Sequence, residues 1–135
     1  MPRSPLPPEL DRFLRKPRPA VVGTVTPAGA PVTTPCWYDW DYGRFTISMA
    51  LDGPRHRNLR AEPRLALTVL GDDWYEHVSL LGRVVELRED PDLADIDALS
   101  QRYLGEPYEE RSYRGVTAVA EVDRWHVYGN PGGLA

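Results

Sequence analysis

The sequence predicts a mainly β chain with short helices, an α+β domain built as a small closed or nearly closed antiparallel barrel of six or more strands. Three observations carry this. Prolines and glycines, 14 and 11 of them in 135 residues, cut the chain into many short segments. Several segments alternate apolar and polar residues with the two-residue period of a half-buried strand. Tight turns follow one another at short spacing, as in an antiparallel meander. Closing the sheet would remove the exposed edges that a chain of this kind otherwise carries.

The elements follow in order. Residues 1–7, which hold Pro2, Pro5 and Pro7, are expected as an extended arm, and residues 8–135 as one domain. Pro8 suits the first turn of a helix, where a missing N–H costs nothing. That helix runs from Glu9 to about Lys16, with Leu10, Phe13 and Leu14 on one face. Pro17 and Pro19 end it, because the residue before a proline avoids the α region. Ala20–Thr26 is a strand, Pro27-Ala28-Gly29 a turn, and Pro31–Trp40 a second strand whose prolines confine it to an edge or a bulge. Asp41-Tyr42-Gly43 turns the chain into a third strand, Arg44–Ala50. Pro54 opens a basic helix to about Ala61. Leu65–Leu70 is a strand with Leu65, Leu67 and Val69 on one face. Gly71-Asp72-Asp73 is a turn and Trp74–Leu87 a long strand, with Gly82 marking a bulge or a close backbone approach. A helix opened by Asp90-Pro91-Asp92 runs to about Leu104 and stops at Gly105. The final strand is Gly115–Tyr128. No internal repeat and no second domain is expected.

Composition narrows the function. Lys plus Arg number 16 and Asp plus Glu 20, a net charge of −4, which argues against a nucleic-acid or anionic-membrane binder. No purely apolar run exceeds three residues, so no segment is a membrane-spanning helix, and the N-terminal sequence lacks the apolar stretch of a secretory leader. A cytoplasmic location is expected. The single cysteine, Cys36, rules out an internal disulfide or a multi-thiolate metal site within one chain. His56, His77 and His126 lack the short spacing of zinc ligands, and no H-E-x-x-H, G-x-S-x-G, P-loop or dinucleotide fingerprint occurs. No metal site is expected and no catalytic side chain is identified.

The most informative segment is Gly53-Pro54-Arg55-His56-Arg57-Asn58-Leu59-Arg60-Ala61-Glu62-Pro63-Arg64. Four arginines against one glutamate stand at a helix start that directly follows a strand. Free N–H groups, the helix dipole and guanidinium forks together suit a phosphate. The plain alternative is a solvated basic helix. A second cation cluster, Arg12, Arg15, Lys16 and Arg18, reads either as a dipole-favoured helix end or as a landing site for an acidic ligand tail. Val32-Thr33-Thr34-Pro35-Cys36-Trp37-Tyr38 combines small hydroxyl residues with a proline, a combination that can lie against a flat heteroaromatic ring. It reads equally as an ordinary edge strand. Trp and Tyr, 4 and 7 of them against 2 Phe, suit pockets and subunit interfaces.

On these residues the chain resembles the split β-barrel flavin- and deazaflavin-binding superfamily, the pyridoxamine-phosphate-oxidase-like, FMN-binding proteins. The resemblance rests on Ala-Val-Val-Gly-Thr-Val-Thr-Pro-Ala-Gly-Ala-Pro-Val-Thr-Thr-Pro, the basic Arg55–Arg64 segment, Gly82-Arg83-Val84 and His126-Val127-Tyr128-Gly129. It covers about residues 8 to 133. Within the superfamily the chain is most similar to the B group of deazaflavin-dependent oxidoreductases from actinobacteria. The resemblance implies a homodimer with cofactor grooves at the subunit interface and a small-molecule substrate. Its implied cofactor is coenzyme F420, with FMN the alternative, and its implied activity is hydride transfer to a small conjugated acceptor. A non-catalytic cofactor carrier is the other reading. By position, Thr34, Pro35 and Cys36 match the strand that lines the ring, and Ser48, Met49 and Ala50 the strand entering the phosphate loop. Arg55 stands where the family commonly has a lysine on the phosphate, Arg57 and Asn58 match directly, and Trp74 matches an aromatic near the ring that the other subunit can supply. Gly53 departs from a basic residue found in some relatives.

Overall fold

The computed structural model describes residues 6–131. The expected arm therefore falls largely outside the described residues, with only Leu6 and Pro7 inside them. Three helices and seven strands follow in the order α1 (Pro8–Arg15), β1 (Ala20–Val25), β2 (Pro31–Cys36), β3 (Asp39–Asp41), β4 (Arg44–Ala50), α2 (Pro54–Ala61), β5 (Arg64–Leu70), β6 (His77–Asp90), α3 (Ala94–Leu104) and β7 (Gly115–Tyr128). The strands form one sheet, ordered β2-β1-β5-β6-β7-β4-β3, and every pairing is antiparallel. This is the α+β split barrel that the sequence implies, but the sheet does not close.

The topology locates the split. β2 and β3 lie at opposite edges of the sheet, yet only Trp37 and Tyr38 separate them in the chain. A two-residue link can span opposite edges only if the sheet curls round on itself. The expected continuous strand Pro31–Trp40 is therefore two strands. Pro35 brings no N–H to a ladder. Tyr38 leaves the sheet to become fully buried, its hydroxyl donating to the Leu14 carbonyl at 2.8 Å and the Lys16 carbonyl at 2.9 Å.

The core fills the inside of this curl. Strand alternation sends Val22, Phe45, Ile47, Leu67, Val69 and Leu80 inward. The stripe Leu10, Phe13, Leu14 of α1 packs onto the same cluster, which fixes the helix by burial of one face.

Two other boundaries differ from expectation. Trp74 and Tyr75 belong to the turn before β6, because the Asp73 carboxylate accepts from the Tyr75 N–H at 2.7 Å and the Gly71 N–H reaches the Glu76 carbonyl at 2.8 Å. Such local bonds compete with strand pairing. β6 instead runs on to Asp90, whose carboxylate caps α3 by accepting from the Asp95 N–H at 2.9 Å and the Ile96 N–H at 3.3 Å. That cap places the helix start at Ala94, beyond the expected Asp90-Pro91-Asp92. At Gly82 the β6–β7 register shifts, and a Cβ there would stand 2.3 Å from the Glu121 carbonyl oxygen.

Candidate functional site

The site begins where β4 meets α2. Along β4 the alternation buries Phe45, Ile47 and Met49 in the core, so Ser48 faces the other way. The chain then turns sharply. Asp52 has φ +59°, the Gly53 N–H donates to the Ala50 carbonyl at 3.0 Å, and the Asp52 N–H donates to Nδ1 of the buried His56 at 2.9 Å. Pro54 opens α2 and puts Arg55 in its first turn. On the far side of α2, the Asn58 amide donates to the buried Thr24 Oγ1 at 3.1 Å and so pins the helix to β1.

These elements frame an open groove of about 880 Å³. Ser48, Met49, Ala50 and Arg55 line it from β4 and α2, Pro35 and Cys36 from β2, and Pro17 and Pro19 from the link between α1 and β1. Trp37, Ile96, Leu99, Tyr103, Tyr108 and Tyr113 line it as well, the aromatic residues among them joined by ring contacts into one wall. Burial pushes the Cys36 thiol up to about 11 against the pull of the neighbouring Arg55 charge. Cys36 is thus a neutral thiol, unsuited to nucleophilic catalysis.

Two polar atoms on this groove are unsatisfied. Among the described residues the Ser48 Oγ and Arg55 Nη1 are buried without a hydrogen-bond partner. A buried guanidinium nitrogen without an acceptor is costly, and both residues line the same cavity. An acidic, hydrogen-bond-accepting ligand supplies what they lack, so the residues present fit a phosphorylated ring cofactor.

The structure sorts the residues singled out in the sequence. Pro35, Cys36, Ser48, Met49, Ala50 and Arg55 come together on the groove, whereas Thr34, Arg57, Asn58 and Trp74 do not line it in this chain. Thr34 sits opposite Val22 in the β1–β2 ladder. The Arg57 guanidinium bonds the Asp52 carbonyl, and Asn58 faces β1. Trp74 is 85% exposed. The basic runs are also largely spent within the chain. Arg60 pairs with Asp52 at 3.0 Å and Arg64 with Glu62 at 2.5 Å. Arg15 pairs with Asp11 at 2.8 Å, and Arg18 covers the Phe13 ring and reaches Asp72 at 3.3 Å.

Of the aromatic wall, the sequence marks only Trp37, within the stretch suited to a flat ring. Trp37 stacks on Tyr103 at 5.4 Å between centroids, and Tyr108 meets Trp37 edge-on at 5.9 Å. Tyr108 and Tyr113, in the stretch leading into β7, carry no motif that would place them there. Among the described residues no group of three or more His, Cys, Asp or Glu is placed to hold a metal, and no helix is long and apolar enough to cross a membrane.

The sequence profile of the family described as pyridoxamine 5'-phosphate oxidase matches residues 6–128. No curated protein matches the chain. Among solved structures, an F420 reductase superposes with a TM-score of 0.80 at 26% identity, covering 90% of this chain and 98% of its own. A conserved hypothetical protein from Mycobacterium tuberculosis gives 0.72 at 22% identity, covering 94% and 86%. General Stress Protein 26 from Bacillus anthracis gives 0.64 at 13% identity, covering 89% and 91%. The last two likenesses concern the fold alone.

Proposed function

The chain belongs to the pyridoxamine 5'-phosphate oxidase family, and on that premise we propose that it is an oxidoreductase that seats coenzyme F420 in its groove and moves a hydride between that deazaflavin and a small conjugated organic acceptor. The observation that carries the reading is the pair of unsatisfied buried atoms, Ser48 Oγ and Arg55 Nη1, on two residues that line one cavity. When bound, the deazaflavin supplies the hydride-carrying ring carbon. The protein holds and screens it. Arg55 is the anchor for the acidic end, with Ser48 donating beside it. Pro35, Cys36 and Met49 offer the ring an apolar surface from which water is excluded.

F420 is favoured by the likeness to an F420 reductase over most of both chains. FMN is the second reading, and a specific observation favours it. Most of the basic side chains that would meet a longer acidic tail are paired with the protein's own acceptors, which leaves Arg55 suited to a single phosphate. Fluorescence titration of the full chain with each cofactor tests the choice. F420 is expected to bind more tightly, and equal or reversed affinities overturn the deazaflavin preference. Faster oxidation of the reduced cofactor when a conjugated acceptor is added separates an enzyme from a carrier.

The working unit in this reading is a cytoplasmic homodimer, with the groove completed at the subunit interface. Trp74, Tyr75 and Tyr128 are 85%, 73% and 52% exposed. Large amphipathic rings of this kind are typical anchors of protein interfaces, and Trp74 is then available to a neighbouring groove.

A further inference from the structure

The groove is lined by one cation and one anion. Of the residues lining it, Arg55 carries the positive charge and Glu110 the negative one. Glu110 Oε1 accepts from the Ser112 N–H at 2.7 Å and the Ser112 hydroxyl at 2.5 Å. Those bonds hold its carboxyl below the usual carboxylate range, so it is ionised at neutral pH. The arginines nearest to it in the chain are engaged elsewhere. Arg111 donates to Asp97 Oδ1 at 2.6 Å and reaches the Asp92 carbonyl at 3.4 Å, and Arg114 lies 3.6 Å from Glu89.

The wall around Glu110 is aromatic. Trp37 is braced by Tyr103, whose hydroxyl is tied to the Arg18 carbonyl at 2.7 Å. Tyr108 stands edge-on to Trp37, and Tyr113 edge-on to Tyr108 at 6.4 Å between centroids. Ring faces are regions of negative potential, and a carboxylate beside them adds to it. Such a wall attracts planar cations and disfavours anions, the opposite of the preference of Arg55. The cavity, about 880 Å³, lies within the range for a drug-sized ligand, roughly 300–1,000 Å³, and so is large enough to take a two-ring molecule.

We propose that the part of the groove walled by Trp37, Tyr108, Tyr113 and Glu110 is a subsite for a planar heteroaromatic cation of the N-alkylated pyridinium or quinolinium type. Only the assignment of Arg55 to a cofactor rests on the proposed function; the cation subsite stands on its own residues. Rings and carboxylate act together, the aromatic faces supplying stacking area and Glu110 the charge preference.

The test is a charge series of two-ring probes, N-methylquinolinium, 2-methylquinoline and naphthalene-2-sulfonate, titrated calorimetrically into the full-length protein. The cation is expected to bind about tenfold more tightly than the anion, with the neutral ring between them. Glu110→Gln keeps an oxygen for Ser112 and is expected to weaken the cation about three- to tenfold while leaving the neutral ring unmoved. Tyr108→Leu is expected to weaken both. An anion that binds as tightly as the cation and competes with it for the same place overturns the proposal, as does a folded Glu110→Gln protein with unchanged cation affinity; sulfonate held at Arg55 leaves the cation undisplaced. Where a variant does not fold, the wild-type charge series decides alone. Separate titration with F420 and FMN keeps the two readings apart, since loss of cofactor binding with the cation preference intact removes the proposed function and not the subsite.

Discussion

The Arg102 guanidinium donates through Nε to the Tyr38 carbonyl at 2.9 Å while lying over the Tyr38 ring at 5.1 Å. The same guanidinium bonds the Arg15 carbonyl at 2.5 Å and the Lys16 carbonyl at 3.0 Å. One side chain of α3 thereby satisfies carbonyls at the C-terminal end of α1, where a helix leaves acceptors unpaired and favours a cation. It also fixes the two-residue link across the split. The wall carrying Trp37 and Tyr103 depends on this staple.

Arg102→Ala is therefore expected to destabilise the fold by about 1.5–3 kcal/mol, the scale of hydrogen bonds to a charged group. Urea denaturation measures it. A midpoint equal to that of the wild type would show that the staple is dispensable.

Ser48→Ala separates a functional hydroxyl from a structural one. The hydroxyl is buried and unsatisfied among the described residues, so its removal costs the fold nothing and leaves the melting temperature equal or higher. Cofactor binding is expected to weaken by about 0.5–1.5 kcal/mol, one neutral hydrogen bond. Unchanged binding would assign Ser48 to packing alone.

Burial, reinforced by the Arg60 charge, holds the His56 pKa below its ordinary value of 6.5. The folded chain keeps the imidazole neutral, whereas the unfolded chain takes up its proton near pH 6.5. This contribution to stability is complete above that pH and is lost as the pH falls from it toward the lower folded value. Protonation of Nδ1 also removes the acceptor of the Asp52 N–H, at the turn that presents Arg55. Denaturation midpoints compared at about pH 7.5 and about pH 5.5 are expected to fall on the acid side, and to fall less in His56→Gln. Equal pH dependence in both proteins would release His56 from this role.

Trp74 carries the prediction for assembly. Light scattering at micromolar concentration is expected to give a dimer, and Trp74→Ala to weaken association by about 2 kcal/mol, the scale of an aromatic anchor. A monomeric wild-type protein with cofactor bound would contradict the dimeric arrangement.

What was legible in the sequence was set by local chemistry. Pro54 fixed the start of α2, Gly105 the stop of α3, and Gly82 the break in β6, where only a residue without Cβ clears the Glu121 carbonyl. The Asp41-Tyr42-Gly43 turn marked the start of Arg44–Ala50, and the expected bounds of that strand and of Gly115–Tyr128 are those observed. The misplaced boundaries depend on side chains acting at a distance. Tyr38 is drawn out of its strand by carbonyls of the first helix, and Asp90 caps a helix from the end of a strand. The same holds for the site. Arg55 and Ser48 belong to one strand–turn–helix and were found together, whereas Trp37, Tyr103 and Tyr108 meet only through the fold. Pairing of Arg15, Arg18, Arg57, Arg60 and Arg64 within the chain was equally invisible, and it thins an apparent field of positive charge while leaving Arg55 Nη1 buried without an acceptor on the groove.

The central claim is that this unpaired guanidinium grips the acidic end of a ring cofactor, and titration of wild-type and Arg55→Ala proteins with F420 and FMN, alongside their melting curves, tests it most directly. A loss of about 1.5–3 kcal/mol in affinity, roughly tenfold to 150-fold, is expected with the fold intact. A folded Arg55→Ala protein with an unchanged dissociation constant would contradict it and leave α2 a solvated basic helix.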